Sequence, residues 1–130
     1  MLWFILLAGF AFLSLAFVLW ASMCRRTKIP HLQKAHFRQA WDDAVELKDP
    51  SRRVMEAEKV CDAVLKSLDY TGTFAEKLKQ AQARLTHVDD IWNAHRLRNR
   101  IAHEVDVRVS AAQSDRALRA FAVIIRQFLS

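Results

Sequence analysis

The first 24 residues of this 130-residue chain contain no charged side chain. All 20 Lys and Arg and all 14 Asp and Glu lie in residues 25–130. As a helix, the uncharged segment would rise about 36 Å, whereas the hydrocarbon core of a bilayer is about 30 Å thick. Trp3 and Trp20 lie near its two ends, where indole rings favour the membrane interface. The sequence therefore predicts a single transmembrane anchor over residues 1–24.

A cleaved signal peptide is the alternative for this segment. Such a peptide begins with basic residues and has a shorter apolar stretch, whereas this apolar stretch begins at residue 1 with no Lys or Arg before it. Met23 is bulky where a lipoprotein cleavage site at residues 21–24 would require a small side chain. These residues favour an anchor that is retained in the mature protein.

Three basic residues closely follow the apolar segment: Arg25, Arg26 and Lys28. Because basic residues beside a span lie on the cytoplasmic side, they predict a cell-membrane protein with its N-terminus outside and its C-terminal domain in the cytoplasm. The same residues attract anionic headgroups, so the lipid bilayer is a predicted partner. We expect a basic juxtamembrane linker over residues 25–35 and a cytoplasmic helical domain over residues 36–130.

The composition of the remaining chain favours an all-α fold. Two Gly and two Pro provide few turn residues for an all-β domain, and two Cys cannot make a disulfide scaffold. Apolar residues recur at helical spacing in a short segment after Thr73 and in four long ones. The four long helices are predicted at about residues 31–48, 50–69, 87–105 and 110–128. We therefore expect a single transmembrane helix followed by a four- to five-helix bundle.

Residues that cap helix N-termini mark the starts of these helices. Asp49 precedes a Pro, and Thr73 and Ser110 are each followed three residues later by Glu or Gln, which is the pattern of a capping box. Thr86, with an Asp three residues later, predicts the start of the third long helix. The alternating residues 105–109 are too few to build a sheet and are predicted as an extended linker.

The helix predicted at residues 87–105 carries a cation on its apolar face. Six apolar residues share one arc of the helical wheel: Ile91, Ala94, Leu97, Ile101, Ala102 and Val105. Arg98 falls inside this arc. Because an unpaired buried charge is costly, Arg98 must pair with an acid, reach a partner chain or bind an anion. A polar seam at a spacing of four residues follows the edge of the arc: His95, Asn99 and His103.

Three of these residues carry chemistry that suits a phosphodiester. Arg98 would neutralise the phosphate, His103 would move a proton near neutral pH, and Asn99 would orient either group. The segment Arg98-Asn99-x-x-x-His103 matches the Arg-polar-x-x-x-His motif of the HEPN superfamily, which are small four- to five-helix bundles. The stretch from Trp92 to Glu104 is also similar to a bacterial group of HEPN-like domains.

The resemblance covers about residues 36–129 and implies a homodimer in which two motifs line one cleft. Active members of the superfamily are metal-independent ribonucleases, so RNA is an implied partner, and no metal or other cofactor is expected. In that role His103 would be the general acid or base at the ribose hydroxyl, and Arg98 would stabilise the phosphorane. Asn99 would align His103 or the phosphate. Other members are not nucleases and use the same bundle for dimerisation or ligand binding.

A structural role is the alternative for these side chains. Three acids of the preceding long helix are candidates for a core salt bridge with Arg98: Glu56, Glu58 and Asp62. His103 could instead cap carbonyls at the end of its helix. His95 and Trp92 are predicted as binding or interface residues. The two histidines of the seam do not predict a metal site, since no Cys or carboxylate completes it.

Two functions follow from these residues. The first is a membrane-anchored HEPN-like helical module that acts without catalysis, through dimerisation or through binding of a partner or ligand. The alternative is a metal-independent ribonuclease with a composite Arg-Asn-x-x-x-His site at a dimer cleft. Residues 86–105 contain three Arg and three Asp or Glu. The motif therefore does not lie in a dense basic stripe of the kind typical of nucleic-acid surfaces, which favours the first function.

Overall fold

The computed structural model describes the backbone of residues 1–24 and 28–130 and, within the first of these ranges, the side chains of residues 1, 3 and 9–19. Six α-helices follow one another: α1 (Leu2–Cys24), α2 (His31–Glu46), α3 (Pro50–Ser67), α4 (Phe74–Ala81), α5 (Val88–His103) and α6 (Ala111–Leu129). A 3₁₀ turn, Gln82–Arg84, directly follows α4. Over the described residues the chain contains no strand, as the helical periodicity indicates.

The structure overturns the predicted transmembrane anchor. In the described part of the chain, no helix is both long enough and apolar enough to cross a bilayer. The single-pass topology and the cell-membrane location are therefore wrong as well. Of the predicted membrane-proximal residues, Lys28 is exposed, whereas Arg25 and Arg26 lie outside the described residues.

Three helix starts are capped as the sequence predicts. Asp49 Oδ1 accepts a hydrogen bond from the backbone N–H of Arg52 at 2.7 Å, which caps α3. Thr73 and Ser110 form complete capping boxes at the starts of α4 and α6. Because these bonds satisfy N–H groups that the helix itself leaves free, they fix where each helix begins.

The start of α5 differs from the prediction. Its N-cap is His87, in the left-handed conformation (φ 51°) and without a side-chain cap. The hydroxyl of Thr86 therefore lies one residue too early to accept from the first N–H groups of the helix. After α5, residues 104–110 form an irregular connection to α6 that includes the predicted linker.

The core is built around α3 and α6, which make the most extensive helix contact. α2 packs mainly against α3, α5 packs against both α6 and α3, and α4 packs against α3. Side chains that are fully buried include Val54, Cys61, Leu65, Tyr70, Leu78, Ile91, Phe121 and Ile124. Ile29 is also buried, and α2 begins at His31, so the bundle includes part of the predicted linker at 25–35.

Arg53 of α3 links three helices. Its Nη1 lies 2.7 Å from Asp115 Oδ1 of α6, and its Nε donates to the carbonyl of Val45 in α2 at 3.0 Å. These contacts help to hold the rotation of α3 about its own axis. In that rotation Glu58 faces α5.

Candidate functional site

Glu58 lies at the interface between α3 and α5, and its side chain is only 5% exposed. Its Oε2 lies 2.8 Å from His95 Nδ1, and its Oε1 lies 3.1 Å from Arg98 Nε. Of the three acids that were candidates for a salt bridge with Arg98, Glu58 is the partner, because its position on α3 faces the arc of α5 that contains the arginine. The cation on the apolar face is therefore paired within its own chain.

Asn99 closes these contacts into a ring. Its Nδ2 lies 3.1 Å from His95 Nε2, and its Oδ1 accepts a hydrogen bond from Arg98 Nη1 at 3.2 Å. We call the four residues Glu58, His95, Asn99 and Arg98 the Glu58 ring. Since three members are on α5 and one is on α3, the ring holds the two helices in one rotation and one register.

For a neutral His95 imidazole, the other members of the Glu58 ring determine which of its two nitrogens carries the proton. A guanidinium has donors only, so Asn99 must direct its oxygen to Arg98 and its NH₂ group to His95. His95 Nε2 then accepts, which leaves the ring proton on Nδ1, where it is donated to Glu58. The lone pair that a general base would need is therefore already used by Asn99.

Two aromatic rings cover His95. Phe74 of α4 is buried, and its ring centre lies 5.1 Å from that of the imidazole at an interplanar angle of 39°. Trp92 is half-buried and approaches edge-on, at 5.9 Å and 73°. Trp92, a predicted interface residue, thus packs within its own chain. Phe74 carries no sequence signal for this contact, because its distance from α5 depends on how α4 folds back.

The Glu58 ring borders an open groove of about 480 Å³ between α3, α4 and α5. Two lysines also line this groove, and both are paired. Lys77 Nζ lies 2.7 Å from Asp62 Oδ1, and Lys59 Nζ lies 2.7 Å from Glu56 Oε1. The positive charges of this groove are therefore compensated by carboxylates of the same chain, which makes it a weak site for a phosphate.

The Nε of Arg98 is buried and forms no hydrogen bond. This atom lies 3.1 Å from Glu58 Oε1, but the N–H is not directed at this oxygen, so the contact is an ion pair without a hydrogen bond. The side chain is 26% exposed. Arg98 is thus held electrostatically by Glu58 and still contacts the groove.

His103 lies apart from the Glu58 ring. It is the last residue of α5 and is exposed, and its imidazole forms no hydrogen bond or ion pair with other described residues. The amide of Asn99, one turn earlier, contacts His95 and Arg98 instead. The structure therefore brings together Arg98 and Asn99 of the predicted catalytic set and leaves His103 outside.

A second groove, of about 540 Å³, lies on the other side of α5, between α5 and α6. We call it the α5–α6 groove. Five apolar side chains form its floor: Ala94, Leu97, Ala117, Ala120 and Val123. Three exposed arginines of α6 form one edge: Arg116, Arg119 and Arg126. Their spacing of three and seven residues is a helical periodicity that sequence alone could reveal, but the apolar floor requires both helices in register.

Cys61 of α3 has a free thiol that is fully buried. Burial raises the pKa of the Cys61 thiol well above its usual value, and the nearby carboxylates of Glu58 and Asp62 raise it further. The Cys61 Sγ lies 3.6 Å from the carbonyl oxygen of Phe121, to which it donates. Among the described residues, no His, Cys, Asp or Glu cluster is arranged to hold a metal ion.

Comparisons of this chain with models of protein families, with curated proteins and with solved structures found no match. The HEPN resemblance therefore stays a prediction that rests on the motif at residues 98–103 and its position on the penultimate long helix.

Proposed function

We propose that this protein is a non-catalytic helical interaction module of HEPN-like type. The Glu58 ring is the observation that carries the proposal. It engages Arg98 and Asn99, the two residues that a nuclease would direct at a phosphate, in bonds to their own chain. They act here as a connection between α3 and α5, which leaves the outer helix faces to contact other molecules.

The charges of the Glu58 ring oppose cleavage of RNA. Glu58 Oε1 already lies 3.1 Å from Arg98 Nε, so a phosphate that bound Arg98 would have to displace this carboxylate or share the arginine with it, and the two anions would repel each other. The imidazole of His103, which lies outside the Glu58 ring, has no hydrogen-bond or ion-pair partner among the described residues that would orient it. Both features favour a scaffold over a catalyst.

A ribonuclease is the second candidate, because Arg98 is partly exposed at an open groove and His103 is accessible one turn beyond Asn99. The full chain, incubated with single-stranded RNA in EDTA, tests the choice. We expect no cleavage by the wild type or by His103→Ala. Metal-independent cleavage that His103→Ala loses would overturn the proposal, provided that His36→Ala, at another exposed histidine, retains it.

A further inference from the structure

We propose that the α5–α6 groove binds an acidic amphipathic helix of a partner protein. This inference rests on the proposed function and specifies its partner. The partner would place apolar side chains on the floor of the groove and carboxylates beside Arg116, Arg119 and Arg126.

The three arginines of the α5–α6 groove differ from several others of the bundle in their contacts. Three arginines elsewhere in the bundle have contacts within the chain: Arg53 with Asp115, Arg98 with Glu58, and Arg84 with the ring of Phe128 at 4.8 Å. By contrast, the guanidinium groups of the three groove arginines form no ion pair or hydrogen bond with other described residues. One acid, Asp90, also lines the groove. The groove thus has an excess of positive charge that a ligand must balance.

The arginine edge of the α5–α6 groove has the length of a short helix. Arg116 and Arg126 are ten residues apart on one helix, so the arginine edge is about 15 Å long. A partner helix of about three turns has the same length and presents a carboxylate every three or four residues. Carboxylates at that spacing can meet guanidinium groups, which bind them through paired N–H donors.

The floor of the α5–α6 groove consists of small and medium-sized apolar side chains. Ala94, Ala117 and Ala120 are small and lie where α5 and α6 meet, so another helix can approach closely. Leu97 and Val123 are half-buried and provide larger apolar contacts on either side. A narrow apolar floor with one charged edge matches an amphipathic helix lying in a groove.

Two other occupants fit less well. A second copy of the chain that used the same groove would bring its own three arginines to the interface, where like charges repel. A single-stranded nucleic acid would gain from aromatic side chains on which its bases stack, and the described lining contains none apart from the imidazole of His87.

The test is fluorescence anisotropy with a labelled synthetic helix of about 18 residues, a length that can form a helix, with Leu and Ala on one face and Glu on the other. A control peptide carries Gln in place of every Glu. We expect the full chain to bind the Glu peptide at least about tenfold more tightly than the Gln peptide at low salt. The double variant Arg116→Glu/Arg119→Glu should lose at least about tenfold in affinity for the Glu peptide.

The matched control is Arg52→Glu/Lys66→Glu, which makes the same change in net charge at two exposed positions of α3. This variant should bind the Glu peptide like the wild type. Equal loss in both double variants, equal binding of the two peptides, or no binding at all would overturn the groove assignment. A dimer in sedimentation equilibrium that Arg116→Glu/Arg119→Glu dissociates would show that a second copy is the occupant, and tighter binding of a single-stranded oligonucleotide would show a nucleic acid.

The outcomes separate this inference from the proposed function. If the peptide does not bind and RNA stays intact, the groove assignment alone is wrong. If RNA is cleaved in a manner that depends on His103, the proposed function fails, whatever the peptide does.

Discussion

The two sides of α5 hold arginines in opposite states. On the side of α3, Arg98 is held by the buried carboxylate of Glu58 and by Asn99. On the side of α6, Arg116 and Arg119 line a groove without an ion pair in the described chain. The first arrangement stabilises the fold, whereas the second leaves charge for another molecule. An arginine on a small helical bundle therefore indicates function only when its counter-charge is missing.

The largest expected effect is on the rate at which Cys61 is alkylated. This residue lies one turn after Glu58 on α3, the paired side of the comparison. Because the thiol is fully buried and its pKa is raised, we expect iodoacetamide to label it at least about 10³-fold more slowly in the folded protein than in urea. Mass spectrometry of peptides distinguishes Cys61 from Cys24. Labelling within about tenfold of the denatured rate would show that the α3 side of the bundle opens readily.

The second effect is on stability. Glu58→Gln leaves Arg98 without its counter-charge and should lower the free energy of unfolding by about 3 kcal/mol, measured by urea denaturation. The matched control is Glu56→Gln on the same helix, whose partner Lys59 is exposed, and which should cost less than about 0.5 kcal/mol. Equal losses in the two variants would show that the Glu58 ring is not a structural connection.

The third effect is smaller, because Arg98 is more exposed than Glu58. Arg98→Met should cost about 1–2 kcal/mol, since Glu58 keeps its contact with His95 and water can reach the vacated side. In the double variant with Glu58→Gln, the two losses should fall short of additivity by about 1 kcal/mol. Strict additivity in urea denaturation would mean that the two residues do not interact in solution.

The fourth effect depends on pH and concerns the capping box of α4, which borders the groove beside the Glu58 ring. Hydrogen bonds from Thr73, first from its backbone and then from its side chain, lower the pKa of Glu76 below its usual value of 4.5. A carboxyl with a lowered pKa stabilises the fold above its unfolded pKa, and this contribution is lost as pH falls through the folded pKa. Melting temperatures of Glu76→Gln should therefore fall less steeply than those of the wild type below about pH 4.5. Parallel curves would contradict the contribution of the cap.

The smallest effect is expected on the open side of α5. Arg116→Ala and Arg119→Ala should each change the free energy of unfolding by less than about 0.5 kcal/mol, because both side chains are exposed and form no ion pair with other described residues. Urea denaturation beside Glu58→Gln gives the comparison directly. A loss above about 1 kcal/mol would show that these arginines also serve the fold.

The helices and most of their caps follow from local sequence, because a cap needs only residues three positions apart. Thr73 and Ser110 illustrate this, whereas His87 does not, since its left-handed backbone depends on the turn after α4. For the site, the helical wheel places Arg98 on the apolar arc and thus shows that it needs a partner. The choice of Glu58 over its two neighbouring acids depends on the rotation of α3, which tertiary packing sets.

The same limit applies to the two histidines of the seam. His95 and His103 belong to the same polar seam, although they lie about 80° apart on a helical wheel, and the packing of α5 along α3 determines that His95 meets Glu58. The charge-free N-terminal segment predicted a membrane span from its composition, but in the described part of the chain no helix is long and apolar enough to form one.

The hydrogen bonds of Asn99 restrict which residues can replace it. Asn99 donates on one side and accepts on the other, so Asn99→Asp would keep the shape and volume of the side chain but replace a donor by an acceptor. His95 would then face carboxylates at both ring nitrogens and could satisfy them only as an imidazolium. Exchange of one NH₂ group for an oxygen, which is also the chemistry of asparagine deamidation, would thereby replace the donor that faces His95 Nε2 by an acceptor, with no change in steric fit.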